Sequence, residues 1–314
     1  MNPLSSIYGC VTGARNALYN RGWITSRRLR GPVVSVGNVS AGGSGKTPFV
    51  ILLGELLKAR GIRFDVLSRG YGRQSRGVRL VDPAGLSQEF GDEPLLMARR
   101  LQVPVVVGED RHEAGVFAEG QFGTQMHLLD DGFQHRGLHR DFDIVLVTPD
   151  DARDRLLPAG RLREPLRNLQ RADAVVLASG ATLESFPLGG KIVWRARRGI
   201  VANHIPPRPV AFCGIARPQR FLLQLRAAGV DPVAEAFFRD HHPYTEKDIR
   251  DLLELRKRSE ADGFVTTEKD AVNLGGYLDA LHPLAVVPVK MELADEANAV
   301  DTMLRVIGDR RGRS

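Results

Sequence analysis

The sequence predicts an α/β chain: two parallel sheets in series, each covered by helices. Three observations predict it. Continuous apolar runs of four or five residues alternate with helix-length segments, the pattern of strands buried on both faces. A glycine-rich loop joins one such run, residues 33–36, to the helical stretch 48–60. The Pro206, Pro207, Arg208, Pro209 cluster then interrupts the alternation, and a second series begins at Val210. At 314 residues the chain is long for one core and comfortable for two.

In the first series, Gly61 stops the helix and residues 64–67 form the next strand, closing a βαβ unit with right-handed crossover. Residues 88–101 hold a turn and a short helix, with Pro94 near its first turn. A strand at 103–107 and a helix at 111–119 follow, then strands at 126–129, 144–147 and 174–177. Residues 148–171 break the rhythm with proline, arginine and aspartate, as a long functional loop does. Residues 191–195 read as a strand. In the second series, strands at 210–213, 233–237, 263–266 and 286–291 alternate with helices at 218–228, from Thr245, and at 295–307. Thr245 with Asp248, and Thr267 with Asp270, have the spacing of capping pairs.

The loop is Ser40, Ala41, Gly42, Gly43, Ser44, Gly45, Lys46 and Thr47. Gly42, Gly43 and Gly45 carry no side chain, so backbone N–H groups can converge on an anion. The helix behind them adds unpaired donors and a positive dipole end. Lys46 is placed to reach β- and γ-phosphate oxygens, and the Thr47 hydroxyl to ligate magnesium. The strict phosphate-loop pattern has glycine where this chain has Ser40, at a position that starts the turn. The bland alternative is a glycine-rich turn with a chance lysine.

Other constellations fall at strand ends, where ligands sit in parallel sheets. Asp130 and Asp131 end an apolar strand, and one such aspartate can hold magnesium; an ordinary turn is the competing reading. Asp92 precedes a helix, where aspartate is a common cap. Arg69 and Tyr71, among glycines, suit phosphate or sugar contact or a solvated turn. His241 and His242 follow Asp240 and could be acid–base groups; without a wider cluster they do not make a zinc site. Residues 157–165 pack arginines and Glu164 into the long loop.

The apolar share of 43% fits a packed globular protein, and a net charge of +7 favours an anionic partner. Cys10 and Cys213 give no disulfide or zinc framework. No apolar run is long enough to span a bilayer, and no signal peptide is recognisable. Leu4, Ile7, Tyr8, Val11, Ala14 and Leu18 recur at helical spacing, with Arg15, Arg21, Arg27, Arg28 and Arg30 as a basic flank and Trp23 between them. That suits a helix lying on an anionic membrane surface, or an amphipathic helix packed on its own domain.

Together these segments resemble the tetraacyldisaccharide 4'-kinases, the lipid A 4'-kinases of Gram-negative bacteria. The resemblance runs through Val36, Gly37 and Asn38, the loop, and Thr47 with Pro48. It continues through 68–72, 91–94, 130–135, 156–165, 240–242 and 267–272. It implies two α/β/α sandwich domains joined by a β-strand linker, the first a P-loop NTPase-like parallel sheet. The expected boundaries are a membrane-associated helix at 1–30, a kinase domain at 31–190, a linker at 191–208, a second domain at 209–285, and a return strand and helix at 286–314. It implies ATP and magnesium, an acylated disaccharide lipid as acceptor, and peripheral attachment to the cytoplasmic face of the inner membrane. It implies Asp92 as base with His241 or His242, and Lys46 on the phosphates. Thr47, Asp130, Asp131 and Glu164 are metal-site candidates, and Arg69, Tyr71, Gln134 and His135 substrate-site candidates.

Three alternatives compete. A P-loop kinase of a soluble small molecule fits the loop but not the basic amphipathic N-terminus. A regulatory GTPase wants Asn-Lys-x-Asp; Glu268, Lys269 and Asp270 lack its asparagine and spacing. A nucleic-acid-binding protein is suggested only by charge, and no such motif is present.

Overall fold

Each apolar run folds as a strand because β-branched side chains pack well on a pleated, doubly covered surface. The computed structural model describes residues 3–312. The elements of the large lobe begin with α1 (Pro3–Asn20), β1 (Val33–Asn38), α2 (Lys46–Ala59), β2 (Phe64–Ser68), β3 (Arg79–Leu80), α3 (Ser87–Phe90) and α4 (Asp92–Leu101). They continue with β4 (Val105–Val107), α5 (Arg111–Gln121), β5 (Met126–Asp130), β6 (Phe142–Val147), β7 (Ala174–Ala178) and β8 (Ile192–Ile200). The small lobe holds β9 (Pro209–Cys213), α6 (Pro218–Ala227), β10 (Ala234–Phe237), α7 (Glu246–Arg258), β11 (Gly263–Thr267), α8 (Glu268–Leu274) and β12 (Leu284–Val287). The chain then returns to the large lobe as β13 (Val289–Leu293) and α9 (Glu296–Arg311).

The large sheet has the order β13-β8-β7-β6-β1-β5-β2-β4-β3, and the small one β10-β9-β11-β12. β1 lies at the centre, parallel to β5 and β6, with Val36 beside Asp130 and Ile144. The register therefore brings Asn38 and Asp130 to one carboxyl-terminal edge. α2 covers that strand with Phe49, Val50, Leu53 and Leu57, all fully buried, and α9 packs beside it through Val300, Met303 and Ile307. An apolar helix of this kind is a core helix, held by packing rather than by propensity.

Two elements differ from the sequence reading. The run expected as one last strand at 286–291 is two strands in two sheets. β12 pairs parallel with β11, while β13 pairs antiparallel with β8, Val289 opposite Ile200. Pro288, which has no N–H to give a ladder, sits at the crossing. Apolar β-formers carry no mark of which sheet each half joins. The strand expected at 191–195 extends to Ile200, because Trp194 and Ala196 face the core while Arg195 and Arg197 face water. Residues 148–171 are ordered by two 3-10 turns, Pro149–Arg153 and Leu166–Arg171, the first closed by a Thr148–Asp151 capping box.

Candidate active site

The loop leaves β1 at Asn38 and enters α2 at Lys46. Gly42, Gly43 and Gly45 have φ of 77°, 61° and 89°, a left-handed path that glycine adopts at little cost. Asn38 braces the loop: its Nδ2 donates to the Ser40 carbonyl at 2.6 Å and to Ser44 Oγ at 2.8 Å. Gln134 Nε2 in turn donates to the Asn38 carbonyl at 2.8 Å. Lys46 Nζ lies 3.2 Å from Asn38 Oδ1 and 3.4 Å from Asp131 Oδ1. Thr47 is buried in the first turn of α2.

The two strand-end aspartates divide. Asp130 is buried; its Oδ2 accepts from Ser68 Oγ at 3.0 Å, and its Oδ1 has no hydrogen-bond partner among the described residues. Burial, with the Glu93 and Asp131 carboxylates near it, pushes Asp130 up to about 7. An orphaned buried carboxylate oxygen in a cleft that Thr47 also lines is one that a cation would complete. Asp131 adopts φ 51° and accepts from Arg163 Nη1 at 2.9 Å. Burial opposes its charge, but Lys46 and Arg163 outweigh burial and hold it below the ordinary aspartate range.

Facing the loop across a cleft of about 1210 Å³ is the junction of the lobes. Gly91, at φ 90°, caps α4, so Asp92 is the first helical residue and not the cap. Asp92 Oδ2 lies 2.8 Å from His241 Nδ1 of the small lobe. Lys269 Nζ lies 2.8 Å from Glu93 Oε1 and 3.7 Å from Asp92 Oδ2. Burial disfavours charge on Asp92, yet Lys269 and His241 hold it below its usual range; the hydrogen bond to Asp92 raises His241. Arg100 Nη1 meets Glu268 at 2.7 Å, so both ends of α4 hold the first turn of α8. Asp270 turns inward instead. It accepts from Gly214 N at 2.6 Å and the Tyr244 hydroxyl at 2.8 Å, anchoring the loop in which His241 N donates to the Gly214 carbonyl at 3.1 Å.

Two expectations are corrected. His242 does not reach Asp92. His241 takes a left-handed φ of 57°, and its neighbour turns away into the small lobe. There the His242 ring stacks on Phe238 at 4.8 Å and its Nε2 lies 3.1 Å from Asp248 Oδ2. Glu164 lines the cleft, but its carboxylate is already held by Asn16 Nδ2 at 2.8 Å, Asn168 Nδ2 at 2.6 Å and Arg171 Nη2 at 3.1 Å. It ties α1 to the long loop. Gln134 lines the cleft and also braces Asn38 through its Nε2.

Arg69, Tyr71 and His135 all line the cleft. The Tyr71 ring lies 5.5 Å from that of His241. Burial and Arg111 push His135 down to about 4, leaving a neutral imidazole at pH 7.

The family profile described as tetraacyldisaccharide-1-P 4'-kinase matches residues 1–308. The chain belongs to this family. A tetraacyldisaccharide 4'-kinase of Koribacter versatilis is 51% identical over 99% of this chain and 100% of its own length. That of Aquifex aeolicus is 39% identical over 88% of this chain and 89% of its own. A solved structure of the Aquifex aeolicus protein, described as an "apo" form in complex with ATP, superposes with a TM-score of 0.80 at 36% identity. It covers 97% of this chain and 98% of that one.

Two cleft residues of this tetraacyldisaccharide 4'-kinase family member carried no role in the sequence reading. Arg111 is buried beside Arg69, which with burial lowers its pKa. It opens α5 after the short turn that leaves the carboxyl end of β4, the edge at which the strand-end rule looks for ligand contacts. Lys269 lies within the segment 267–272, but only the fold shows that it crosses to Asp92.

Proposed function

We propose that this protein is an ATP- and magnesium-dependent kinase of a tetraacyl glucosamine disaccharide 1-phosphate, acting on its 4'-hydroxyl in lipid A biosynthesis. The observation that carries the reading is the Asp92–His241 pair facing the Lys46 loop across one cleft. The loop amides and Lys46 hold the phosphate chain and meet the charge of the transferring group. Thr47, Asp130 and Asp131 are the residues suited to hold magnesium, which favours one or two carboxylates plus substrate phosphates over an all-protein cage. When bound, the metal would neutralise charge on the phosphate oxygens. Asp92 accepts the proton of the sugar hydroxyl. A base held below the usual aspartate range suffices, because a loose phosphoryl-transfer transition state releases that proton late. His241 keeps the carboxylate anionic and aimed. Closure of the small lobe excludes water, the competing acceptor.

The amphipathic helix supports attachment at a membrane surface. α1 docks through polar contacts: Asn16 on Glu164, Arg15 Nη2 on the Gln134 carbonyl at 2.7 Å, and Ser5 Oγ on the Leu156 carbonyl at 3.0 Å. Its outer side leaves Ile7 and Val11 60% and 63% exposed, and Trp23, just past its end, is 72% exposed. Tyr8, Thr12 and Arg15 line the cleft, so the site opens beside that apolar row, where an acylated acceptor would lie. No helix among the described residues is long and apolar enough to cross a membrane. We place the protein peripherally on the cytoplasmic face of the inner membrane.

The test is transfer of γ-labelled phosphate from ATP in detergent micelles, with tetraacyl disaccharide 1-phosphate and soluble glucosamine disaccharides as rival acceptors. Labelling of the lipid alone is expected; labelling of the soluble sugars at equal rate would sink the lipid reading.

A further inference from the structure

Four arginines line the cleft beside the loop. Arg161 comes from the long loop, Arg198 from β8, and Arg217 and Arg220 from the start of α6. Arg217 lies directly over the glycines: a Cβ built on Gly43 would be 3.2 Å from its Cδ and Nε, and one on Gly42 3.6 Å from Ala216 Cβ. Carboxylates do not balance the group. Asp150 takes Arg217 Nη1 at 2.6 Å and Arg220 Nη2 at 2.9 Å, while Arg161 pairs mainly with Asp154 at 2.8 Å. Among the described residues Arg198 makes no ion pair. Arg198 Nε and Arg217 Nη2 are buried donors with no hydrogen-bond partner among them.

Buried guanidinium donors without acceptors, beside like charges, cost stability unless an anion completes them. Burial and the neighbouring guanidiniums push both Arg198 and Arg217 below the ordinary arginine range. The planar fork of arginine matches phosphate oxygens. An arginine that reaches a phosphate loop from another part of the same chain can stabilise the charge of phosphoryl transfer.

We propose that Arg217, carried by the small lobe and backed by Arg198, contacts the polyphosphate chain of the nucleotide bound at residues 40–47, completing that site only when the lobes meet. The proposal rests on the reading of the loop as a nucleotide site. It gives the small lobe two separate tasks, with His241 serving the acceptor side and Arg217 the donor side. The Asp150 pair is then a latch that holds Arg217 in place without itself touching phosphate.

Calorimetric titration with ATP, ADP and AMP in magnesium, beside steady-state turnover, tests it. Arg217→Ala should weaken ATP binding roughly ten-fold or more and leave AMP little changed. It should lower kcat by roughly a hundred-fold, and Arg217→Lys should fall between. Asp150→Asn breaks the latch but keeps the guanidinium, so it should stay within about five-fold of the parent. Should Arg217→Ala fail to fold, Arg217→Lys carries the same comparison. Unchanged ATP affinity and kcat in Arg217→Ala overturns the proposal, as does an Asp150→Asn loss equal to that of Arg217→Ala, or a defect confined to the KM of the lipid. Lys46→Ala in the same titration separates the two readings. If it abolishes ATP binding while Arg217→Ala does not weaken it, only this proposal fails; if neither weakens it, the nucleotide site itself is wrong.

Discussion

His241 Nδ1 lies 2.8 Å from Asp92 Oδ2, one residue from each lobe. The contact joins the small lobe to the first turn of α4, and both residues line the cleft that holds the loop.

Replacing Asp92 with asparagine should lower kcat by about a hundred-fold or more while nucleotide affinity changes little. Replacing His241 with alanine should give a smaller loss of the same kind. Replacing His242 with alanine should leave kcat nearly intact and cost about 1–3 kcal/mol of stability through lost packing on Phe238 and Tyr244. Steady-state kinetics and urea unfolding of the three variants check the pattern.

The His241 titration has a predicted direction. Its pKa is raised chiefly by the hydrogen bond to Asp92, so it should titrate above 6.5, and Asp92→Asn should bring the midpoint down. Nitrogen-detected NMR of the ring reads this directly. An unmoved midpoint would separate the two residues.

Lys269 faces both Glu93 and Asp92. Lys269→Met would leave two carboxylates near each other without their cation, at a cost of about 3 kcal/mol, and should lower kcat. Lys269→Arg should recover part of both in thermal unfolding and turnover.

Far from the cleft, His127 is fully buried between Asp65 at 2.9 Å and Glu119 at 3.3 Å. Burial alone would lower its pKa; the two carboxylates outweigh burial and raise it. A raised folded pKa stabilises fully below the unfolded value near 6.5 and loses that contribution as pH rises through the folded value. Unfolding free energy should therefore fall with rising pH above 6.5 in the parent, and this component should vanish in His127→Gln.

Ile7→Asp with Val11→Asp should weaken binding to anionic vesicles about ten-fold or more, since each apolar side chain contributes about 1.5–3 kcal/mol when fully buried. Turnover on a detergent-dispersed acceptor should change far less. Equal vesicle binding would favour the helix as a purely internal element.

Much of this was legible in the residues. The loop announced itself because phosphate binding needs glycine, lysine and threonine at fixed spacing beside a strand and a helix. Asp130 was legible because strand ends in a parallel sheet share one edge. The division between His241 and His242 was not, because it depends on the left-handed backbone of His241 itself, which sends two identical adjacent rings in different directions. Nor was the fate of Glu164, whose partner Asn16 comes from the far end of α1 and whose partners Asn168 and Arg171 are set by the turn within its own loop. The second-lobe arginines had no motif at all; only the docking of α6 onto the loop places them.

The most direct measurement is the site of phosphorylation after reaction of ATP with tetraacyl disaccharide 1-phosphate, read by mass spectrometry. The parent protein should give one product bearing phosphate on the 4'-oxygen, and Asp92→Asn should give almost none at equal nucleotide saturation. Product at another oxygen, or undiminished product from Asp92→Asn, would contradict the account.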